Sequence, residues 1–154
     1  MFEFLIAVVA FSGLIIGFII NKFVEEELDH GKKYFIALRK IMILAIISVF
    51  LYYSYDRYIA LLLGIISGYF LRKEYFYLGM GLVGGFSIAK ELIAGIVFIY
   101  GISYSAVNYK KLNYRRISSD FLYFAVPFLM YLIPFDFSTD AIAFAAGALF
   151  WRLR

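Results

Sequence analysis

The amino-acid sequence predicts an all-α, polytopic integral membrane protein whose single domain, residues 1–154, is a seven-helix transmembrane bundle. Two observations lead to this prediction. Hydrophobic residues make up 64% of the chain and charged residues 17%, whereas a soluble domain contains about half and about a quarter. Short charged segments also divide the chain into seven apolar runs. Because so little polar surface cannot cover a water-facing globule, the excess apolar surface is expected to face lipid.

The first apolar run covers residues 2–20, close to the ~20 residues that cross a hydrocarbon core. It contains Glu3 and no basic residue before Lys22, unlike the basic start of a cleaved signal peptide, so we expect a retained helix. The other six spans are predicted from the remaining runs, at about 35–55, 58–71, 75–89, 92–107, 121–133 and 138–151.

Several of these runs contain only 11 to 16 strictly apolar residues. A re-entrant hairpin formed by the third and fourth runs is the alternative to two full spans. It would place Arg72 and Lys73 deep in the membrane, at a cost of roughly 2.5–3.5 kcal/mol each. Charged side chains that reach the headgroups from the ends of short spans avoid this cost, so seven spans are favoured.

The positions of the basic residues favour one orientation in the membrane. The segments after the first, third, fifth and seventh spans contain thirteen of the fifteen Lys and Arg residues, and only Arg57 and Lys90 lie on the other face. Basic residues accumulate in cytoplasmic loops. We therefore expect a protein of the cell membrane with its N-terminus outside and its C-terminus in the cytoplasm. Because membrane orientation explains the positive charge, no nucleic-acid partner is expected.

Small residues spaced four apart predict close contacts between helices. Packing within one bundle is the favoured interpretation, and contact with a second copy or with another subunit of a membrane complex is the alternative. In either case the lipid bilayer surrounds the helices. The glycines concerned are Gly13, Gly17, Gly64, Gly68, Gly81, Gly85 and Gly147.

Two sets of matching residues suggest an internal repeat. Residues 5–7 are identical to 92–94 at an offset of 87, and residues 59–60 are identical to 142–143 at an offset of 83. The matches align the first three spans with the last three, as a 3+1+3 parallel repeat with the fourth span as linker. In topology alone this arrangement resembles the SWEET and PQ-loop transporters. Their proline–glutamine signature is absent, since the chain contains no glutamine, and no family is assigned.

The composition excludes several kinds of chemistry. The chain contains no cysteine, which excludes disulfides, thiolate metal sites and cysteine nucleophiles. A single histidine, His30, excludes ligation of haem or copper by paired imidazoles. No ionisable residue lies in the middle of a predicted span, which argues against a proton relay or an intramembrane aspartyl protease. The sequence therefore indicates no cofactor and no catalytic residue.

The outer face is predicted to be acidic, because its carboxylates are opposed only by Arg57 and Lys90. Such a face attracts cations or cationic solutes; ordinary solvation of loops is the alternative. A proline in the sixth span is expected to kink that helix, and broken helices frame binding sites in some transporters. The resulting candidates for a substrate path are Asp56, Glu91, Pro127, Asp136 and Asp140.

Two charged segments are predicted on the cytoplasmic face. The basic residues Lys110, Lys111, Arg115 and Arg116 are candidates for binding lipid phosphates or for pairing with an acidic segment on the same face. That acidic segment contains Glu26, Asp29 and His30, which are weak candidates for a divalent metal site. A solvated helix start is the alternative for the acidic segment.

Three functions are consistent with these features. A small transporter or channel for an ion or small solute is favoured by the span count, the repeat, the proline in the sixth span and the acidic outer face. A non-catalytic subunit or scaffold of a larger membrane complex is favoured by the glycine-rich helix faces and the short loops. A lipid-modifying enzyme working at the cytoplasmic face is the third alternative. A polar cavity between the two halves would favour transport over the other two.

Overall fold

The computed structural model describes residues 2–23, 25–85, 89–108, 114–132 and 138–153, with side chains for all of these except 2–4, 25–30, 114 and 130–132. The described residues form seven α-helices and no strand, which confirms the all-α class. Short 3₁₀ segments, Val126–Leu132 and Phe150–Arg152, follow the sixth and seventh helices. The helices are α1 (Phe2–Phe23), α2 (Glu25–Tyr53), α3 (Tyr58–Phe70), α4 (Glu74–Gly85), α5 (Lys90–Asn108), α6 (Tyr114–Ala125) and α7 (Ser138–Leu149).

Three stretches are long and apolar enough to cross a membrane, namely Leu5–Phe23, Gly31–Tyr53 and Lys90–Asn108. These stretches support the predicted membrane association. The helix α3 is apolar but has 13 residues, which corresponds to about 20 Å at 1.5 Å per residue, against the ~30 Å of a hydrocarbon core. Helices α4 and α7 have 12 residues each. Length therefore does not establish seven spans, and that number stays a prediction.

Helices α1 and α5 lie parallel in close contact. A Cβ atom added at Gly13 would overlap the backbone of Phe98, and one added at Gly17 would overlap that of Ile102. The contacting residues thus advance in the same direction along both helices, so the two helices are parallel. At both of these glycines, which belong to the predicted packing set, the backbone of one helix touches that of the other.

Helices α3 and α7 form a second parallel pair of the same kind. The backbone of Phe144 occupies the space that a Cβ would need at Gly64, and the backbone of Ala148 occupies that space at Gly68. Because a larger side chain would separate the helices, glycine is required at both crossings.

Helix α4 runs antiparallel to both α5 and α7 and is buried along most of its length. The ring of Tyr75 at its start lies 5.2 Å from that of Tyr104 late in α5, whereas Gly85 at its end contacts Ile93 early in α5. The same reversal of order against α7 is seen in the pairs Tyr77–Phe144 and Gly84–Ser138.

Helices α2 and α6 run in the same direction as α4. On α2, Arg39 acts electrostatically on Glu74, and the ring of Phe50, further along, fills the space beside Gly81. On α6, the backbone of Phe124 lies against Gly79, downstream of Asp120, which also acts on Glu74. The direction of the described helices therefore alternates from α1 to α7.

The alternation gives the bundle two chemically different ends. Helices α2, α4 and α6 begin at the basic end, where α1, α3, α5 and α7 end. Helices α3, α5 and α7 begin at the opposite end. The basic end carries Arg39, Arg72, Lys73, Arg116 and Arg152, and the opposite end carries Asp56, Arg57, Lys90, Glu91 and Asp140.

Aromatic rings fill the core between α1, α4, α5 and α6. The ring of Phe11 lies 5.8 Å from Tyr75 and 5.5 Å from Phe124. Large apolar side chains point outward instead on α3, where Ile59 and Phe70 are each 78% exposed. A helix with glycine facing its neighbour and large apolar residues facing out is typical of membrane proteins, because lipid is as apolar as leucine.

Pro127 lies where the sixth helix changes its geometry. The α-helix ends at Ala125, and the chain continues as a 3₁₀ segment over Val126–Leu132. Proline has no amide hydrogen and clashes with the preceding turn of an α-helix, which accounts for the change at the position where a kink is predicted. The side chain of Pro127 is buried.

Candidate functional site

A buried ionic cluster lies at the basic end and consists of Glu74, Tyr100 and Arg152. The Oη of Tyr100 donates a hydrogen bond to Glu74 Oε2. The Nε of Arg152 lies 3.5 Å from Glu74 Oε1, and the two side chains are only 17% and 14% exposed. Three separate elements, α4, α5 and the segment after α7, therefore converge on one carboxylate.

The environment of Glu74 changes its acidity. The residue precedes the apolar part of α4. Burial raises the pKa of the Glu74 carboxyl above its usual value, and the nearby Arg152 and Arg39 guanidinium groups only partly offset this rise. Burial dominates because an ionised carboxylate loses its hydration there. The carboxyl group can therefore accept a proton at a higher pH than an exposed glutamate.

Further polar side chains, those of Asp120, Arg116 and Tyr104, extend the cluster toward α6. Asp120 is buried, with 7% of its surface exposed, and its negative charge further favours protonation of Glu74. Arg116 donates a hydrogen bond to the oxygen of Tyr104. Acidic, basic and phenolic groups of α4, α5 and α6 thus form a continuous polar region inside an otherwise apolar bundle.

A cavity of about 290 Å³ opens beside this region. Its volume is near the lower limit for a small-molecule pocket, which is about 300 Å³. Tyr104 and Ser119 contribute hydroxyl groups to its wall. The charged lining residues are the basic Arg72, Lys73, Arg115 and Arg116 and the acidic Glu74 and Asp120.

Two guanidinium groups that act on Glu74 retain unused donors. The Nη2 of Arg152 and the Nε of Arg39 are buried without a hydrogen-bond partner among the described residues. A buried donor without a partner costs about 1–3 kcal/mol. An acceptor that reaches these atoms would therefore stabilise the site.

At the opposite end, the predicted acidic residues lie beside basic partners. Arg57 contacts both Asp56 and Asp140, with N···O distances of 3.7 Å in each case. Glu91 lies 4.0 Å from Lys90. These side chains are largely exposed, so each ion pair contributes little to stability. Asp136 lies outside the described residues.

The structure brings together only part of the predicted cytoplasmic sites. Arg115 and Arg116, the two described members of the predicted lipid-phosphate set, line the cavity. Lys110 and Lys111 lie outside the described residues. Glu26, Asp29 and His30 belong to the first turns of α2, and their side chains lie outside the described part.

Sequence reasoning missed Glu74, Tyr100 and Arg152. Glu74 follows two basic residues in a short charged segment, which is typical of a solvated loop, and Arg152 has the appearance of a cytoplasmic anchor. The one available signal was the carboxylate at the very start of an apolar run. Its burial depends on residues far away in the chain, and hydropathy does not report such contacts.

Comparison of the chain with protein-family models, curated proteins and solved structures found no match.

Proposed function

We propose that this protein is a small membrane transporter of seven spans for an ion or small solute, and that the Glu74–Tyr100–Arg152 cluster controls access at its basic end. The observation that carries the proposal is a buried, proton-accepting carboxylate beside a charged cavity that the start of α4, the end of α5 and the start of α6 enclose. Burial of an ionisable carboxylate costs free energy, and the packing of helices does not by itself require one.

The alternating helix direction supports seven spans. It is the order that seven consecutive crossings would need, and it collects basic residues at one end as the positive-inside rule expects. On this basis the basic end is cytoplasmic and the N-terminus is outside. The short helices α3, α4 and α7 would cross with charged neighbours near the headgroups and with local thinning of the bilayer.

Reciprocal contacts support the 3+1+3 repeat. A Cβ at Gly64 would overlap the carbonyl of Phe144, and a Cβ at Gly147 would overlap the carbonyl of Leu61. Gly147 lies 83 residues after Gly64, and Phe144 lies 83 residues after Leu61, so each contact is the counterpart of the other. Such an exchange is expected if α3 and α7 are equivalent helices related by a twofold axis along the membrane normal.

The cluster connects the linker helix, which carries Glu74, to the second half, which carries Tyr100 and Arg152. Arg39 of the first half also acts electrostatically on Glu74. Protonation of Glu74 would remove the charge that attracts Arg152 and would weaken the contact between α4 and the end of α7. A direct contact between the two halves, Arg57 with Asp140, lies at the opposite end. Opening these two contacts in turn would expose the interior to each side alternately.

Transport is tested with the purified chain in liposomes, against empty vesicles and across a panel of ions and small solutes. Glu74→Gln and Arg152→Gln should lower uptake of the transported solute by about tenfold or more, which corresponds to ~1.4 kcal/mol or more in the barrier. Lys33→Gln is the control, because it also replaces a charged side chain by glutamine at an exposed position outside the cluster. Equal uptake by Glu74→Gln and Lys33→Gln would remove the cluster from the mechanism.

The second candidate function is a subunit of a membrane complex. Its specific support is the core of Phe11, Tyr75 and Phe124, whose rings fill the space between α1, α4 and α6 in edge-on and tilted contacts. Absence of flux in the unmodified protein across the whole panel would favour this function over transport.

A further inference from the structure

We propose that the cavity at the basic end and an adjoining groove on α6 form one binding site for an anionic phospholipid. The phosphate would lie in the cavity, and an acyl chain would lie along the groove. The site goes beyond the transport proposal and does not depend on it.

The charge of the cavity favours an oxyanion. Four basic side chains line it against two carboxylates. One of those carboxylates, Glu74, is already paired with Arg152 and with the hydroxyl of Tyr100. Three of the four basic residues are arginines, whose guanidinium groups bind phosphate in bidentate fashion. Arg39 and Arg152, which act electrostatically on the lining residue Glu74, retain unused donors.

The groove continues from the cavity along α6. It has a volume of about 690 Å³ and shares Arg115 and Ser119 with the cavity. Beyond these residues its floor becomes apolar, where Leu122 is 62% and Val126 46% exposed. The groove residues recur every three or four positions and so lie on one face of the helix. A ligand that fills both spaces must be charged at one end and apolar at the other.

The dimensions fit a chain within one leaflet. From Arg115 to Val126 the helix rises by about 16 Å at 1.5 Å per residue. One leaflet contributes about half of the ~30 Å hydrocarbon core. The phosphate would then lie at the level of the basic residues, and the acyl chain would reach the middle of the bilayer.

A free phosphate or a soluble phosphate ester fits this surface less well. Either one would occupy the cavity and leave Leu122 and Val126 without a role. The continuity of the charged and apolar parts therefore favours the lipid.

Native mass spectrometry of the intact protein, incubated with equal amounts of phosphatidylglycerol and phosphatidylcholine, measures the preference for an anionic headgroup. We expect the unmodified protein to retain phosphatidylglycerol preferentially. Arg72→Gln with Arg115→Gln should lower that preference by about tenfold or more, since each cation near an anionic lipid contributes to its affinity. Both side chains are exposed, so the variant should fold. Lys33→Gln with Lys90→Gln removes the same charge away from the cavity and is the control.

Equal retention of the two lipids by the unmodified protein, or an equal effect of the control pair, would overturn the proposal. A second variant tests the apolar part. Leu122→Ser with Val126→Ser should weaken retention of the long-chain lipid while leaving any thermal stabilisation by inorganic phosphate unchanged. If inorganic phosphate stabilises the unmodified protein and this variant retains the lipid fully, the site binds free phosphate and the lipid assignment is wrong.

Discussion

Glu74 and Arg152 form an ion pair between the first residue of α4 and the last residue of the 3₁₀ segment after α7, with Oε1 and Nε 3.5 Å apart. Both side chains are largely withdrawn from solvent. Loss of one partner from a buried pair leaves the other charge uncompensated and typically costs about 3–5 kcal/mol. The pair thus joins the start of α4 to the segment after α7, and the protonation state of Glu74 is coupled to that contact.

The stability of the protein should depend on pH through Glu74. Its folded-state pKa is raised above the usual 4.5, so the folded state holds the proton more tightly than the unfolded state. The resulting stabilisation is present below pH 4.5 and is lost as the pH rises through the folded-state value. We expect the thermal unfolding midpoint in detergent to fall as the pH rises over that window.

Substitution of Glu74 distinguishes its contribution to the pH dependence of stability from that of other titrating groups. Glu74→Gln should remove its part of the pH dependence, whatever it does to the midpoint itself. Glu91→Gln, in an exposed pair with Lys90, should leave the pH dependence intact. An identical slope in all three proteins would show that Glu74 titrates alike in the folded and unfolded states.

The crossing of α3 and α7 should not tolerate large side chains. Gly64→Leu and Gly68→Leu place atoms where the backbone of α7 lies, and overpacking of this kind costs about 1–3 kcal/mol or more. Leu61→Ala, which only shortens a side chain beside the crossing, should cost less. Thermal unfolding in detergent measures these differences.

Gly95 provides the matched control for the crossing. No atom lies within 4 Å of a Cβ added there, and leucine favours a helix over glycine by up to about 1 kcal/mol. Gly95→Leu should therefore be neutral or stabilising. Equal losses for Gly64→Leu and Gly95→Leu would mean that the crossing does not limit packing.

The orientation in the membrane can be measured directly. The chain contains no cysteine, so single-cysteine variants need no background removed. In intact cells, Arg57→Cys should react with a membrane-impermeant thiol reagent, and Lys33→Cys should react only after permeabilisation. Labelling of Lys33→Cys from outside would reverse the proposed orientation.

The acidic residues at the opposite end should influence uptake of a cationic solute. Asp56→Asn with Asp136→Asn and Asp140→Asn should lower uptake in liposomes. The effect should shrink at high salt, because the field of exposed charges acts over roughly 8 Å at physiological ionic strength. Unchanged uptake would mean that these carboxylates are ordinary solvated loop residues.

The helix boundaries show which features of the helices hydropathy can predict. The predicted spans at 58–71 and 92–107 agree closely with α3 (Tyr58–Phe70) and α5 (Lys90–Asn108). Agreement is poorer for α2 and α6, which begin well before their apolar runs. Charged residues end an apolar run without ending a helix, since they are good helix formers. Hydropathy therefore located the apolar segments but missed the charged first turns of α2 and α6.

The sequence by itself predicted the helical class, the segments apolar enough to cross a membrane and the segregation of charge between the two ends. These properties are sums over neighbouring residues, and local hydropathy and charge contain them. Only the tertiary structure decided that Glu74 is buried beside Tyr100 and Arg152, and that α1 lies against α5 and α3 against α7. Burial and pairing arise from contacts between distant parts of the chain, and a carboxylate at the start of an apolar run has the same local pattern whether water or an arginine lies beside it.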